Sequence, residues 1–316
     1  MTTDSYFQSA AVIGTGMMGP GIAVTLALGG VRTTILSRGE DSARLGLEAA
    51  RSQLQLLEDN RLATAEKAAW AREHLDARAG YEETVAAAGL VIESTPENME
   101  FKQQLFASLE AMAQPSAVLA SNTSGLSITD VASRCRRPER ILTTHFWNPP
   151  HLMPLVEIVK GRKTAGEIAE RVRALLAACG KVPVIVHKDT PGQLGNRLQF
   201  ALVREALHIV EEGIASVDDV DLAAKNGFGL RLPVYGIFEH QDVVGLDMAL
   251  SIHDYVAQDL CGERRAPRPM RERVERGELG AKTGKGFYDW TKKSLADVKA
   301  RRDGFVLDFL QRWRSN

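Results

Sequence analysis

Short apolar runs alternate with longer amphipathic segments over the first 190 residues of the chain. The runs are bounded by glycine, proline or polar residues, which is typical of strands buried on both faces of a sheet. The intervening segments repeat their apolar positions with the period of a helix. The predicted strands lie at residues 10–14, 33–37, 89–94, 116–121, 140–146, 152–159 and 182–187. This alternation of strands and helices predicts an α/β fold with a parallel, doubly wound sheet.

The pattern changes near residues 189–191. Strand signals nearly vanish beyond this point, and residues 193–216 have the pattern of a long amphipathic helix. A C-terminal helix is expected to pack on the body through one apolar face. This face holds Val306, Phe309, Leu310 and Trp313. The sequence therefore predicts two domains, residues 1–190 with a helical hairpin at 41–77, and an all-helical domain at 191–316.

Composition argues against several classes of function. The 316 residues carry 39 Lys and Arg against 40 Asp and Glu, which gives no indication of a nucleic acid or an anionic membrane as partner. Cys135, Cys179 and Cys261 form no CxxC pair, so neither a disulfide framework nor a metal site is predicted. No apolar run approaches the roughly 18 residues that cross a bilayer, and no secretory signal pattern precedes the first strand. We therefore expect a soluble cytoplasmic protein.

The first predicted strand leads into a turn with GxGxxG spacing, formed by Gly14, Gly16 and Gly19. Such a turn between a strand and a helix is typical of a dinucleotide site. Gly14 permits the tight turn, Gly16 lets the backbone approach a pyrophosphate, and Gly19 allows close packing of helix on strand. The N-terminus of the following helix offers its N–H groups to the phosphates.

The second predicted strand ends with Ser37, which Arg38 follows. An NAD site usually carries a carboxylate at this position, where it accepts a hydrogen bond from the ribose 2′-hydroxyl. A carboxylate would repel the 2′-phosphate of NADP, whereas Ser37 does not, and Arg38 can contact that phosphate. The sequence therefore favours NADP over NAD, and the alternative is an NAD site in which Arg38 is a solvated loop residue.

The densest polar motif is "HFWNPPHLMPLVEIV", which begins with His145 at the end of a predicted strand. The carboxyl ends of the strands form the ligand side of an open α/β sheet. Glu157 lies on the next predicted strand. A carboxylate that binds one ring N–H raises the basicity of the other nitrogen, so His145 is predicted to be a general base oriented by Glu157. After another strand, Ser124 could bind a reacting oxygen, or its loop could only cap the next helix.

Six ordered motifs resemble those of the 3-hydroxyacyl-CoA dehydrogenase family, and they span nearly the whole chain. They are "GTGMMGPGIA", "ESTPEN", "SNTSGLSIT", "HFWNPP" with "PLVEIVKG", "DTPG" with "NRL", and "GELGAKTGKGFYDW". The resemblance implies a Rossmann-type domain followed by a helical domain, and a homodimer formed through the latter. It also implies hydride transfer between a nicotinamide cofactor and a secondary alcohol.

The resemblance further implies roles for individual residues. His145 would be the base, paired with Glu157, while Ser124 and Asn196 would donate hydrogen bonds to the substrate. Matching positions of the family's cofactor site are Glu97, Lys102 and Lys282. The ribose-binding Asp of the family corresponds to Ser37, and this departure puts the usual NAD preference in doubt.

Two classes of small-molecule substrate stay open. The family's commonest substrates are 3-hydroxyacyl-CoA thioesters, and CoA-using members carry lysines on the helical hairpin. Here Glu58 and Asp59 would repel phosphates, and only Arg61 and Lys67 would attract them. Other segments resemble a branch that acts on small acids without CoA, which includes L-gulonate 3-dehydrogenase (lambda-crystallin), L-carnitine dehydrogenase and a pyridine-carboxylate dehydrogenase. A crystallin-like protein that binds the cofactor without catalysis is a further alternative, against which the intact set of polar residues argues.

Overall fold

The computed structural model describes residues 7–314 and divides the chain into two compact units. The first unit runs to Arg197 and resumes at Arg301, and the second is Leu198–Ala300. The sequence-based division differs, because it assigns the C-terminal helix to the second domain. This helix groups with the first unit because its apolar side chains are buried there.

The first unit is built on one eight-stranded sheet. Its strands are β1 (Ser9–Ile13), β2 (Arg32–Ser37), β3 (Leu75–Ala79), β4 (Leu90–Glu93), β5 (Val118–Ser121), β6 (Ile141–Phe146), β7 (Leu155–Lys160) and β8 (Val182–Val186). They are ordered β3-β2-β1-β4-β5-β6-β7-β8. Of these strands, β6 and β7 pair antiparallel and all other neighbours pair parallel. The strand order reverses between β1 and β4, which is where such a sheet binds ligands. The predicted Rossmann-type fold class is confirmed.

Helices cover both faces of this sheet. They are α1 (Gly19–Leu28), α2 (Glu40–Asp59), α3 (Ala65–His74), α4 (Glu82–Ala87), α5 (Met99–Met112), α6 (Ile128–Val131) and α7 (Gly166–Ala178). Successive side chains of a strand point to opposite faces. In β1, Ala10 and Val12 therefore join one apolar core with α1, α2, α3 and α7, whereas Ala11 and Ile13 join a second core with α4, α5 and α6. α2 and α3 contact each other and form the helical hairpin.

Two features of the sheet differ from the sequence-based prediction. The sequence predicts a helical hairpin to residue 77, but α3 ends at His74 and the chain continues as β3, which pairs with β2. β3 is an edge strand in which only Leu75 is buried, so it carries no apolar run. The second difference is the direction of β7, where the sequence predicts a parallel sheet. The connection at 147–154 is shorter than the dozen or more residues of a parallel crossover.

The second unit consists of helices joined by turns. Its helices are α8 (Gly195–Glu211), which begins in the first unit, α9 (Val217–Asn226), α10 (Phe228–Arg231), α11 (Ile237–Val244), α12 (Leu246–Val256) and α13 (Arg268–Glu275). α14 (Leu295–Arg314) leads back to the first unit. α8 ends before the end of the predicted segment 193–216, because Gly213 adopts a left-handed φ of 70° just beyond it.

α14 packs on the first unit with a face that is turned relative to the predicted one. Val306, Phe309 and Leu310 contact the apolar core as the sequence predicts. Leu307 is also buried, whereas Trp313 stays 51% exposed. The helix therefore faces the apolar core with Leu307 and leaves Trp313 half exposed.

Candidate active site

The glycine-rich turn after β1 has the geometry that a dinucleotide requires. Gly14 has a φ of 118°, and a Cβ there would lie 2.4 Å from the Ser94 carbonyl oxygen. A Cβ on Gly19 would lie 1.8 Å from the carbonyl oxygen of Gly14. Gly16 is different, because nothing lies within 4 Å of where its Cβ would be. Gly14 and Gly19 are therefore required by the backbone, while Gly16 leaves open space at the turn.

α1 begins directly after this turn. Its N-cap residue, Met18, gives no side-chain hydrogen bond to the first turn, which also holds no acidic residue. Pro20 lies in that turn, where its missing N–H costs no helical hydrogen bond. The remaining N–H groups and the positive end of the helix dipole attract an anion. The residues present therefore fit the pyrophosphate of a nicotinamide dinucleotide.

Ser37 and Arg38 lie at the end of β2, as predicted. Ser37 is buried, and its carbonyl oxygen accepts a hydrogen bond from the Gly80 N–H at 3.0 Å. Arg38 is exposed. Burial raises the pKa of Tyr81, and the positive charge of Arg38 opposes this shift. Arg38 therefore lies close to Tyr81, on the side of the sheet edge where β2 and β3 end.

His145 and Glu157 are brought together by the antiparallel pairing of β6 and β7. They are directly opposite in the register of these strands. The Nδ1 atom of His145 lies 2.7 Å from Oε2 of Glu157. His145 is 6% exposed and Glu157 is 0% exposed. The parallel strands β1 and β6 end at the same sheet edge, so this pair and the glycine-rich turn share one side of the fold.

Four hydrogen bonds hold the Glu157 carboxylate. Oε2 accepts from His145 and from Nε1 of Trp147 at 2.9 Å, and Oε1 accepts from the N–H groups of Leu194 and Gly195, both at 2.9 Å. Burial raises the pKa of Glu157, but the four hydrogen bonds outweigh it and lower the pKa from 4.5 to about 2. The ionised carboxylate therefore stabilises the fold above pH 4.5, and this stabilisation is lost as the pH falls towards about 2.

The contacts of Glu157 with Trp147 and with the N–H groups of Leu194 and Gly195 were not predicted from the sequence. Their signals are weak, because a tryptophan after a strand is usually a packing residue and backbone donors leave no trace in residue type. The second glycine in "GQLGNR", Gly195, is a partial indication of this close contact. A Cβ on Gly195 would lie 2.4 Å from Cζ2 of Trp147, so the close approach of the indole requires glycine there.

The loop after β5 brings three predicted residues together. The carboxylate of Glu97 accepts from the backbone N–H of Ser124 at 2.6 Å and from its Oγ at 3.0 Å. Oγ1 of Thr123 also donates to Glu97, at 2.8 and 2.9 Å. Nδ2 of Asn196 donates to the carbonyl oxygen of Ser124 at 2.9 Å. Ser124 therefore does more than cap α6, whose N-cap is Ser127.

Lys102 lies buried beneath this exposed loop. It is 1% exposed, and its Nζ donates to Oε1 of Glu93 at 2.5 Å and to the Thr95 carbonyl oxygen at 3.2 Å. Its distance to the Glu97 carboxylate is 3.9 Å. Glu93, which the sequence-based reasoning missed, is 0% exposed and also accepts from Oγ of Ser121 at 2.6 Å. Lys102 therefore supports the loop from within rather than presenting its ammonium group to solvent.

Lys282 lies in the second unit. It belongs to the short turn Ala281–Thr283 and lines an apolar cavity of ≈ 640 Å³ within that unit. The helices α8, α9 and α13 also line this cavity. The hydrogen bonds that join Ser124, Glu97 and Asn196 do not include Lys282.

Two kinds of feature are absent from residues 7–314. No group of three or more His, Cys, Asp or Glu side chains in that range could hold a metal ion. No helix in that range is long and apolar enough to cross a membrane.

Two family models match nearly the whole chain. Residues 9–190 match the model for the NAD binding domain of 3-hydroxyacyl-CoA dehydrogenase. Residues 192–290 match the model for the C-terminal domain of 3-hydroxyacyl-CoA dehydrogenase.

Curated relatives are similar over comparable lengths. The chain is 35% identical over 284 residues to a probable 3-hydroxybutyryl-CoA dehydrogenase of Bacillus subtilis, which covers 90% of this chain and 97% of that protein. It is 32% identical over 298 residues to the 5-formyl-3-hydroxy-2-methylpyridine 4-carboxylate 5-dehydrogenase of Mesorhizobium japonicum, which covers 93% of this chain and 94% of that protein.

Two solved structures are also similar to this chain. A crystal structure of 5-formyl-3-hydroxy-2-methylpyridine 4-carboxylic acid 5-dehydrogenase, described as an NAD⁺-dependent dismutase, has a TM-score of 0.89 at 29% identity and covers 96% of this chain and 97% of that one. The (S)-3-hydroxybutyryl-CoA dehydrogenase of Ralstonia eutropha has a TM-score of 0.75 at 30% identity and covers 90% of this chain and 100% of that one. Together with the two family models, these similarities establish that the chain belongs to the 3-hydroxyacyl-CoA dehydrogenase family.

Proposed function

We propose that this protein is an NAD(P)-dependent oxidoreductase that transfers a hydride between a nicotinamide and the carbon of a secondary alcohol. The first substrate class is that of 3-hydroxyacyl-CoA thioesters, which is the activity that names the family. One observation carries the proposal. The buried pair of His145 and Glu157 lies at the sheet edge that also holds the glycine-rich turn, so a base and a dinucleotide site share that edge.

The arrangement of the pair supports His145 as the base. Glu157 is ionised and accepts the proton on Nδ1, so the lone pair of His145 lies on Nε2. Nε2 takes the hydroxyl proton, and Glu157 stabilises the imidazolium that results. A bound nicotinamide supplies the hydride acceptor. In the reverse direction the imidazolium returns its proton to the substrate oxygen.

Ser124 and Asn196 are proposed to bind the substrate oxygen. The loop that carries Ser124 is held by Glu97 on one side and by Asn196 on the other. Asn196 uses one of its two amide hydrogens on the Ser124 carbonyl oxygen. The second amide hydrogen of Asn196 is fixed before the substrate arrives, so it can stabilise a developing alkoxide without reorganisation. The single hydroxyl proton of Ser124 is donated to Glu97 in this structure and has to turn towards the substrate oxygen. Glu97, which lies between β4 and α5 and accepts hydrogen bonds from this loop, is proposed to contact the cofactor.

We expect NADPH to be preferred over NADH. The end of β2 carries Ser37 in place of a carboxylate, and the exposed Arg38 follows it. An exposed Arg–phosphate contact contributes about 1–2 kcal/mol, so kcat/KM should be roughly 5- to 30-fold higher with NADPH. The variant S37D/R38A should reverse the order of the two cofactors. A parent enzyme that already prefers NADH would contradict the proposal.

A dehydrogenase of a small acid is the second candidate, and the similarity over the full length favours it. The structure of the pyridine-carboxylate enzyme has a TM-score of 0.89 and covers 96% of this chain, whereas the Ralstonia 3-hydroxybutyryl-CoA enzyme has 0.75 and covers 90%. In this chain, Nε2 of Gln311 in α14 donates to the Asn60 carbonyl oxygen at 2.9 Å. This contact ties the C-terminal helix to the end of α2.

The charges of the helical hairpin also help to distinguish CoA thioesters from small acids as the substrate class. The sequence predicts that Glu58 and Asp59 repel phosphates, but Glu58 is hydrogen-bonded to Arg72 in this structure, which offsets part of its charge. Arg61 is exposed between α2 and α3. Lys67 lines a cavity of ≈ 270 Å³ in the first unit. The hairpin therefore retains two cations that a nucleotide phosphate could contact.

A substrate panel tests the proposed function and separates the two classes. It contains acetoacetyl-CoA, L-gulonate and carnitine, each with both cofactors. If CoA thioesters are the substrates, R61E/K67E should raise KM for acetoacetyl-CoA and leave kcat nearly unchanged. The reason is that contacts with a phosphate far from the reacting carbon stabilise the bound substrate and the transition state equally. The matched control is R44E/R51E, which reverses two exposed charges on α2. Turnover of a small acid alone, with no effect of the hairpin variant, would favour the second candidate. Absence of turnover with any secondary alcohol or ketone would contradict the proposed function.

We also propose that two copies associate through the second unit. Val234, Phe238 and Tyr255 are 79%, 84% and 83% exposed in the chain. The described helices α9–α12 bury no residue at all. Apolar exposure of this extent is typical of a subunit interface. Light scattering should give twice the chain mass of 34.5 kDa, and a monomer at micromolar concentration would contradict the proposal.

A further inference from the structure

One oxygen of Glu157 is shared between two side-chain donors. Oε2 lies 2.7 Å from Nδ1 of His145 and 2.9 Å from Nε1 of Trp147. The other oxygen accepts from the N–H groups of Leu194 and Gly195. A carboxylate has about four lone-pair sites, and all of them are used here. The orientation of Glu157 is therefore fixed, and its charge is divided among four donors.

The indole of Trp147 is held between the imidazole and the start of α8. The rings of His145 and Trp147 have their centroids 5.7 Å apart and are tilted by 46°. Gly195 leaves room for the indole, because a Cβ there would lie 2.4 Å from Cζ2. The same Gly195 donates its N–H to Glu157. Trp147, Gly195 and Glu157 thus form one packed unit around the Nδ1 side of His145.

We propose that Trp147 is a positioning residue for this reaction, whose indole N–H holds Oε2 of Glu157. This hydrogen bond draws part of the carboxylate charge away from His145 and thereby sets the lower pH limit of alcohol oxidation. The inference rests on the proposed role of His145 as the base. A carboxylate that is not shared stabilises an imidazolium more strongly. A protonated histidine cannot accept the hydroxyl proton. Sharing Oε2 therefore extends alcohol oxidation to lower pH.

Other charges around the pair are few in the described chain. β6 carries no ionisable side chain besides His145, β8 carries none, and β7 adds Lys160 at its opposite end. The charged side chains of α7 lie across the sheet, because α7 packs on the face of Val156 and Ile158. On the remaining elements near the site, Glu97 is hydrogen-bonded to Thr123 and Ser124, and Asp189 is hydrogen-bonded to Ser127 and Thr129. Arg197 donates to the Pro191 carbonyl oxygen. Asp130 is exposed on α6. The shared Oε2 atom is therefore the direct electrostatic partner of His145.

The test is the pH profile of kcat/KM for alcohol oxidation in the variant Trp147→Phe, which removes the N–H and keeps an aromatic ring. The acidic limb should move to higher pH by about 0.3–1 unit, which corresponds to the net strength of one hydrogen bond. Glu157→Gln should move it in the opposite direction. The matched control is Trp70→Phe in α3, whose indole stacks on His74, and it should leave the limb in place.

A second measurement does not depend on turnover. Nitrogen NMR of histidine-labelled protein follows the imidazole of His145 directly, with its signal assigned by its absence from His145→Ala. The Trp147→Phe protein should titrate at higher pH than the parent. If that variant does not fold, benzothienylalanine at position 147 keeps the bicyclic shape without the N–H and should give the same shift.

The outcomes separate this inference from the proposed function. An equal loss of activity at every pH, with an unmoved limb and an unmoved imidazole titration, means that Trp147 only packs and overturns the inference. A shift to lower pH overturns it as well. Near-parental turnover in His145→Ala would instead overturn the role of the base itself. An inactive His145→Ala together with an unmoved Trp147→Phe limb would reject only the role of Trp147.

Discussion

Replacing His145 with alanine should lower kcat for alcohol oxidation by at least about 10²-fold, because a positioned general base typically contributes about 10²–10⁴-fold. His145 is 6% exposed, so little water reaches the position of the lost imidazole. The rest of β6 and the neighbouring strand β5 carry no ionisable side chain, and β7 on the other side carries Glu157, which is already hydrogen-bonded to four donors in the parent, and Lys160 at its far end. The effect should fall on kcat rather than on KM, since proton transfer belongs to the transition state. Steady-state kinetics with the best substrate of the panel measures it.

The matched control is His74→Ala. His74 lies at the end of α3, where it stacks on Trp70 with ring centroids 4.0 Å apart, and its loss should leave kcat unchanged. Glu157→Gln should lower kcat less than His145→Ala does, and it should move the acidic limb of the pH profile to lower pH because a neutral amide stabilises the imidazolium less. A His145→Ala enzyme with near-parental kcat and an intact circular dichroism spectrum would remove His145 from the mechanism.

Replacing Lys102 with methionine should lower the free energy of unfolding by about 3–5 kcal/mol, because it leaves a buried carboxylate without its cation. Nζ of Lys102 lies 2.5 Å from Oε1 of Glu93, and these side chains are 1% and 0% exposed. Thr95 and Ser121 donate to the same carboxylate, but they bring no charge. Urea unfolding of the parent and the variant, followed by circular dichroism, measures the difference.

Two further variants test whether Lys102 serves mainly as half of a buried ion pair or as a cofactor ligand. Glu93→Gln combined with Lys102→Met removes both charges and should recover much of the lost stability. Arg173→Met breaks the exposed ion pair with Glu170, whose side chains are 53% and 55% exposed, and should cost less than about 1 kcal/mol. If Lys102→Met costs no more than this control and only raises KM for the cofactor, then Lys102 is a cofactor ligand, as the family resemblance implies. The buried ion pair would then not be its main role.

The elements that the sequence determined are those whose pattern is local. Seven of the eight strands were predicted from short apolar runs, and all of these except β8 contain buried residues. Such runs are visible without any knowledge of their neighbours. Gly14, Gly16 and Gly19 specify the turn by spacing alone, because the backbone conformation of a strand–turn–helix unit is set within a few residues. His145 and Glu157 could be paired because each follows from its position on a predicted strand.

The tertiary structure decided what depends on residues far apart in the chain. β3 holds no apolar run and exists because β2 offers it an edge, and β7 is antiparallel because its connection to β6 is too short for a crossover. That direction places Glu157 directly opposite His145. The N–H groups of Leu194 and Gly195 reach Glu157 from 37 and 38 residues away, and no side chain records them. Likewise, the sequence indicates that Lys102 is a surface residue or a ligand, whereas the tertiary structure buries it beside Glu93. Burial depends on the surroundings of a residue and not on its type alone.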